Sequence, residues 1–211
     1  MEPTHIALDA DDVVVDFVAG ILDTVNRDFG SDVKPEDITD WNFGQFIDEI
    51  IGRPWFEWLE DHAWLWAQKF KPVPGAIGGI EKLRRAGHYL EIVTAKPAWA
   101  EDAMWEWLAR YKPRVHRLTI VPIANSKKHE ISDGIVLVDD KWENCVEWAK
   151  DGRPAILYNR PHNAGFGTPP SGVIRAENWD AVLRIMDLPY LNWPTDETED
   201  TKTWMWQGYW R

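Results

Sequence analysis

The chain has 211 residues, 45% of them hydrophobic, and a formal net charge of −12. That is enough apolar material for one α/β core with a small accessory element, and the acidity disfavours a nucleic-acid groove, which carries a basic stripe. A single cysteine, Cys145, excludes an internal disulfide framework and a Cys-rich zinc site, and no run approaches the about 18 apolar residues of a membrane span.

The first residues, MEPTHIALDADD, lack the apolar centre of a secretory peptide, so a reducing cytoplasm is the expected setting. His5 to Asp9 is a short apolar run ending in acid, which suits a buried parallel strand. Val13-Val14-Val15 follows, then Val18, Ile21, Leu22, Val25 and Phe29 recur at helical spacing up to Gly30, which closes the helix. Residues 31–70 are rich in Asp, Trp and Phe, with helical stretches from Phe46 to Ile51 and from Trp55 to Trp66. Pro72-Val73-Pro74-Gly75 reads as a rigid turn leading into a helix that Gly87 stops.

Tyr89 to Val93 is the next strand, ending at Thr94, and Ala100 to Tyr111 is a helix whose first turn holds Glu101 and Asp102. Arg117 to Pro122 and Gly134 to Val138 read as strands, the second running into Asp139-Asp140. A helix through Val146 and Trp148 ends before Gly152, Ala155 to Tyr158 is the last strand, and Asn178 to Met186 is a last helix with Asn178 as its cap. This alternation predicts an α/β fold, a parallel sheet with helices on both faces. The chain carries fifteen tryptophans, and those of its last stretch, Trp204, Trp206 and Trp210, are expected to dock on the main body or on another subunit of a homo-oligomer.

Ligands of open α/β sheets bind beyond the carboxyl ends of the strands. The successive runs end in Asp9-Ala10-Asp11-Asp12, in Thr94-Ala95-Lys96 and in Asp139-Asp140, with Lys127 and Lys128 just before the last pair. Acids gathered at one edge repel unless a cation lies between them, and magnesium prefers oxygen ligands. Such an ion would neutralise a phosphate and align it. One carboxylate can then attack phosphorus, and a second, two residues on, can protonate the leaving oxygen and later activate water. A threonine hydroxyl and a lysine would hold the phosphate charge. Each motif alone is commonly a turn or a helix cap; the four in this order point to phosphoryl chemistry.

Leu8 to Val13, Ile92-Val93-Thr94-Ala95, Lys128 and Leu137-Val138-Asp139-Asp140 resemble, in order, the four motifs of the haloacid dehalogenase superfamily of phosphotransferases. More narrowly, Asp9 to Phe17, Pro74-Gly75-Ala76, Tyr158 to Asn163, Val173-Ile174-Arg175 and Asn178-Trp179 resemble the 5′(3′)-deoxyribonucleotidase family. The resemblance implies a Rossmann-like core of residues 1–17 and 71–191, a helical cap of residues 18–70 inserted after the first strand, and an aromatic tail of residues 192–211. It implies Asp9 as nucleophile and Asp11 as acid/base. Magnesium would be held by Asp9, the Asp11 carbonyl and Asp140, with Asp139 as alternative or support. Phe17 would contact the nucleoside, and Thr94, the adjoining Ala95 and Lys128 would line the phosphate site. The substrate implied is a small phosphomonoester, a deoxynucleoside 5′- or 3′-monophosphate. A 3′-phosphorylated nucleic-acid end, a small metabolite, or a non-catalytic binding role on the same fold are the competing readings.

Three features depart from the family pattern. Asp12 stands where the family has glycine, adding charge and a β-carbon to a tight turn; it is expected either to weaken phosphate binding or to point to solvent. Lys127 and Lys128 are adjacent, and spacing to the acidic pair favours Lys128. The cap is too divergent for base-recognition residues to be carried over; Trp41 and Phe43 are stacking candidates, since aromatic faces accept any base, with packing inside the cap as the alternative.

Overall fold

The computed structural model describes residues 4–123 and 128–187. Lys127 and the aromatic tail with Trp204, Trp206 and Trp210 lie outside the described residues. Six strands, β1 (His5–Leu8), β2 (Tyr89–Lys96), β3 (Arg117–Pro122), β4 (Val136–Asp139), β5 (Ala155–Tyr158) and β6 (Val173–Ala176), form one sheet. Their order is β3-β2-β1-β4-β5-β6, and every neighbouring pair is parallel. The order reverses at β1, which lies between β2 and β4. The segments leaving β1, β2 and β4 therefore emerge side by side at one sheet edge, the switch point where open α/β sheets bind ligands.

Successive strand residues face opposite sides, so each strand feeds two cores. Ile6, Leu8, Leu90, Ile92, Val136, Val138 and Ile156 pack with Ile80, Leu83, Trp107 and Trp179 on one side, while Ala7, Val93, Leu137 and Leu157 meet Cys145 and Trp148 on the other. After β1 come α1 (Phe17–Phe29), α2 (Gly44–Ile51), α3 (Trp55–Asp61) and α4 (Trp64–Gln68), then α5 (Ala76–Arg85) leading into β2. The remaining helices are α6 (Glu101–Tyr111), the short α7 (Lys128–Ile131), α8 (Trp142–Lys150) and α9 (Trp179–Met186). Gly30 ends α1 in the left-handed conformation, φ 71°, and the Asn178 side chain caps α9 by accepting from the Ala181 amide.

The chain enters and leaves the α1–α4 insertion through two paired segments. The Asp16 amide donates to the Lys71 carbonyl at 2.8 Å and the Val73 amide to the Val14 carbonyl at 2.9 Å. These bonds tie the helical insertion to the turn that follows β1.

The structure corrects three sequence readings. The sheet does not end at Tyr158: Val173–Ala176 adds a sixth strand. The helix read from Trp55 to Trp66 is two helices, broken at His62–Ala63, where the His62 ring turns back to the Trp58 carbonyl at 2.6 Å. β2 continues through Thr94 to Lys96, because Lys96 pairs in register with Pro122 of β3.

Candidate active site

Asp9 follows β1 directly, and its amide continues the ladder to the Val138 carbonyl at 2.8 Å. The side chain is buried. Its Oδ1 accepts from the Ala10 amide at 2.7 Å and lies 2.7 Å from Lys128 Nζ. Lys128, on α7, also donates to Asp139 Oδ2 at 2.8 Å, so one buried ammonium bridges the ends of β1 and β4. Burial alone would lower the Lys128 pKa, but the Asp139 and Asp9 carboxylates more than offset that and hold it above its ordinary value.

The neighbouring acids are not equivalent. Asp139 is fully occupied: Oδ1 accepts from the Lys141 amide at 2.8 Å, and Oδ2 from Lys128 and from Asn144 Nδ2 at 2.9 Å. Asp140 is buried too, yet its Oδ1 has no hydrogen-bond partner. His162 Nε2 lies 2.9 Å from its Oδ2 without the alignment of a hydrogen bond. Burial, then the charges of Asp9 and Asp139, push the Asp140 carboxyl well above its usual range. Oxygens of Asp9, Asp139 and Asp140 all lie within 4.8 Å of one another. An orphaned buried carboxylate oxygen among like charges is an oxygen-donor set suited to a hard divalent cation, and the residues present therefore fit magnesium.

The turn after Asp9 carries Asp11 and Asp12. Asp11 Oδ2 forms an ion pair with Lys96 Nζ, while Oδ1 is buried without a hydrogen-bond partner. Burial raises the Asp11 pKa, partly offset by Lys96. Asp12 does not point to solvent. It sits in the left-handed region at φ 55°, is only 4% exposed, and its Oδ1 accepts from the Phe17 and Val18 amides, both at 3.1 Å. The carboxylate thus caps α1 from five residues upstream, where the helix start at Asp16 supplies no side-chain cap of its own. Burial and the nearby Asp140 charge raise its pKa to about 7.

Thr94 is buried near the carboxyl end of β2, on the same strand face as Lys96, with Ala95 half-buried between them. Phe17 is buried, its ring stacked on Trp66 at 5.0 Å and edge-on to Phe70 at 5.4 Å. Trp41 is 40% exposed and reaches the core, edge-on to His162 at 5.0 Å with Lys141 Nζ 5.0 Å from its ring. Phe43 packs against Trp55 within the insertion. Asp9, Asp11, Asp139, Asp140 and Lys128 are thus held together through direct contacts or shared fields. Trp41 joins them through His162.

Several residues of this edge carry no role in the sequence reading. Arg160 Nε donates to the Asp12 carbonyl at 2.7 Å, and Asn163 Nδ2 donates to the carbonyls of Asp140 and Tyr158 at 2.7 and 2.8 Å. Arg175 in turn donates to the Asn163 Oδ1 and carbonyl. The segment from Tyr158 to Asn163 therefore clamps both acidic turns by their backbones. The clue was the Arg-Pro-His-Asn sequence directly after a strand end. Lys96 is the other omission, and its clue was its position two residues beyond Thr94 on one strand face.

Residues 3–188 match the family model described as 5′ nucleotidase, deoxy (pyrimidine), cytosolic type C protein. Among solved structures, a Lactobacillus delbrueckii chain assigned to the phosphoglycolate phosphatases is similar at 14% identity and TM-score 0.61, over 88% of this chain and 99% of that one. The HAD-hydrolase YfnB of Bacillus subtilis, solved with magnesium, is similar at 13% identity and TM-score 0.58, over 89% and 100%. The D,D-heptose 1,7-bisphosphate phosphatase of B. bronchiseptica, solved with magnesium and phosphate, is similar at 16% identity and TM-score 0.52, over 87% and 97%. No curated protein sequence matches the chain. At these identities the likeness to the solved structures concerns the fold.

Proposed function

The chain belongs to the 5′ nucleotidase, deoxy (pyrimidine), cytosolic type C family and is a phosphoric monoester hydrolase of haloacid dehalogenase-like fold, and on that premise we propose that it removes phosphate from deoxynucleoside 5′- or 3′-monophosphates with the help of magnesium. The observation that carries the reading is the pairing of a strand-end nucleophile with a buried ammonium: Asp9 Oδ1 is held by Lys128 and the Ala10 amide, which leaves Oδ2 for attack. As the Asp9–phosphorus bond forms, the bond to the nucleoside oxygen breaks and Asp11 gives that oxygen a proton. Asp11, now a carboxylate, takes a proton from water; the water oxygen attacks phosphorus, inorganic phosphate departs and Asp9 is restored. Lys128 offsets the charge of Asp9 and of the phosphate throughout, and Thr94 donates a hydrogen bond to a phosphate oxygen, with Ala95 lining the same wall.

Asp9, the Asp11 carbonyl and Asp140 would hold the magnesium, with Asp139 in support. When bound, the ion neutralises the phosphate charge and orients the ester for in-line displacement. Asp140 is favoured over Asp139 as the direct ligand, because Asp139 already has its oxygens occupied and Asp140 does not. We read residues 18–70 as the cap, with Phe17 supporting the nucleoside wall and the half-exposed Trp41 as the stacking face for the base. The cytosolic setting in the family description and the lone buried thiol Cys145 agree with a cytoplasmic enzyme, and among the described residues no helix is long and apolar enough to cross a membrane.

The test is phosphate release from a panel of 5′- and 3′-deoxynucleoside monophosphates beside sugar phosphates and a 3′-phosphorylated oligonucleotide. Asp9→Asn, which removes the nucleophile but almost no volume, should abolish release while the protein still folds, with an unchanged circular dichroism spectrum. Hydrolysis of sugar phosphates alone would remove the nucleotide assignment, and an active Asp9→Asn protein would remove the mechanism.

A further inference from the structure

Lys96 stands outside the phosphate-binding set and has an unusual environment. Its side chain is only 2% exposed, although lysine is rarely buried unless paired. Its Nζ lies 4.4 Å from the Trp66 ring centroid and 5.3 Å from that of Phe17. These rings stack on one another at 5.0 Å and come from α4 and the first residue of α1, so the ammonium lies against an aromatic wall built by the helical insertion. Its ion-pair partner is Asp11 Oδ2. The other Asp11 oxygen, Oδ1, is buried and without a hydrogen-bond partner.

We propose that Lys96 is a positioning residue: by pairing with Oδ2 it fixes the orientation of the Asp11 carboxyl group, which exchanges a proton with the leaving oxygen and then with water. This deepens, and rests on, the reading of Asp11 as acid/base. The physical reasoning is geometric. A carboxylate on a short side chain rotates freely unless one oxygen is anchored, and proton transfer needs heavy atoms at hydrogen-bond distance. The anchor must itself be immobile. Lysine's flexible stem becomes so here because aromatic faces enclose its head. The two aromatic residues also tie the anchor to the insertion, so displacement of α4 removes part of the wall that fixes the acid/base.

The test uses leaving groups of different need. A nucleoside alkoxide must be protonated as it departs; p-nitrophenolate need not be. With enzyme in excess and magnesium saturating, single-turnover release of the leaving group is measured from a deoxynucleoside monophosphate and from p-nitrophenyl phosphate. It is followed in the wild type, in Lys96→Met, which keeps length and apolar contacts, and in Lys96→Arg, which keeps the charge. Lys96→Met should slow nucleoside release about 100-fold, the scale on which a small misplacement of a catalytic group acts, and slow nitrophenolate release less than about 3-fold, since the acid contributes little there. Lys96→Arg should recover part of the nucleoside rate, because a guanidinium also pairs with carboxylate and stacks on aromatic faces. Equal slowing on both substrates by Lys96→Met marks general damage to the site and overturns the proposal while the parent reading stands. An unchanged nucleoside rate overturns it as well. A wild type that releases neither leaving group overturns the parent reading and the proposal together.

Discussion

Substituting Asp12 in turn by asparagine, glycine and alanine separates three contributions at one turn. The side chain accepts from two helix-terminal amides at 3.1 Å, and loss of such a cap costs ~1 kcal/mol, up to about 2. The backbone sits at φ 55°, where a β-carbon without a polar partner costs roughly 1 kcal/mol relative to glycine, and where Asn is among the best-tolerated side chains. Asparagine keeps both the acceptor and the tolerance; glycine keeps only the tolerance; alanine keeps neither. The order of stability should be Asn above Gly above Ala, with about 2 kcal/mol across the series, or roughly 4–8 °C in thermal midpoint for a chain of this size. Wild type differs from the asparagine variant by its charge. With the folded pKa raised to about 7 from an ordinary 3.8, ionisation opposes folding, so wild-type stability falls as pH rises from about 4 through 7. Thermal unfolding in chelator at pH 5 and pH 8 reads both effects. Wild type should fall below Asp12→Asn by less at pH 5 than at pH 8, the gap widening as pH rises. An alanine variant as stable as asparagine, or a wild-type gap that does not widen with pH, would refute the account.

Four further outcomes are expected. Magnesium titrated by calorimetry should bind wild type and fail to bind Asp140→Asn, whereas Asp139→Asn should lower the thermal midpoint, because it weakens the buried pairing with Lys128, Asn144 and the Lys141 amide. Glu91 is fully buried beneath His5, Thr119 and Ser132; burial alone would raise its pKa, but these bonds and the Arg117 charge more than offset that and lower it to about 2. Its contribution, about 3 kcal/mol from the shift, is present above pH 4.5 and lost as pH falls toward 2. Urea midpoints for wild type against Glu91→Gln should therefore converge on acidification. Gly78→Ala meets open space on α5 and should stabilise by up to ~1 kcal/mol, while Gly79→Ala drives a β-carbon into the Trp179 ring and should cost about 1–3 kcal/mol. Thermal midpoints that move alike for the two would contradict the packing described. Trp41→Ala should raise KM for deoxynucleoside monophosphates about tenfold with kcat nearly unchanged, as expected of a base contact worth ~1 kcal/mol or more.

Those parts of the site that follow an apolar run were legible in the sequence, since a buried parallel strand announces both its own position and the identity of the residue at its carboxyl end. Asp9 and Asp139-Asp140 do stand at strand ends beside one another, whereas Thr94 lies inside β2, which runs on to Lys96. β6 was passed over because Val173-Ile174-Arg175-Ala176 is short, carries an arginine and borders the sheet, where half-exposed residues weaken the apolar signal. The break between α3 and α4 was hidden by tryptophans that sustain an apolar period across His62 and Ala63. Glu91 was invisible inside a run read as apolar, because its partners lie 28 to 86 residues away in sequence. The capping by Asp12 required knowledge that the chain turns back within five residues, and the Lys96–Asp11 pair required the two strand ends to be neighbours in space. What failed to show in the sequence is non-local pairing of polar groups; what did show is local periodicity and its punctuation.

The charge arrangement at the sheet edge connects these parts. Asp9, Asp12, Asp139 and Asp140 are buried and Asp11 is half-buried, against two buried ammoniums, Lys96 and Lys128, and the half-buried Arg160 guanidinium. Lys96 is committed to Asp11, and Lys128 is shared by Asp9 and Asp139. Arg160 meets Asp12 through a carbonyl and not through the carboxylate. Asp140 has only the misaligned His162 ring, whose own pKa is lowered by burial. A protein of net charge −12 could have neutralised such a cluster with surface lysines, but exposed pairs are screened and weak, and they would not offset the negative potential where a phosphate is proposed to enter. A divalent cation held by Asp9 and Asp140, as proposed, would do both at once: it would satisfy the orphaned oxygen and bring positive charge to the place where the anion is proposed to bind. On this view acidity of the chain and binding of an anionic substrate are not in conflict. In the proposed mechanism the excess of carboxylates is what would make the edge a metal site, and the metal is what would make it a phosphate site.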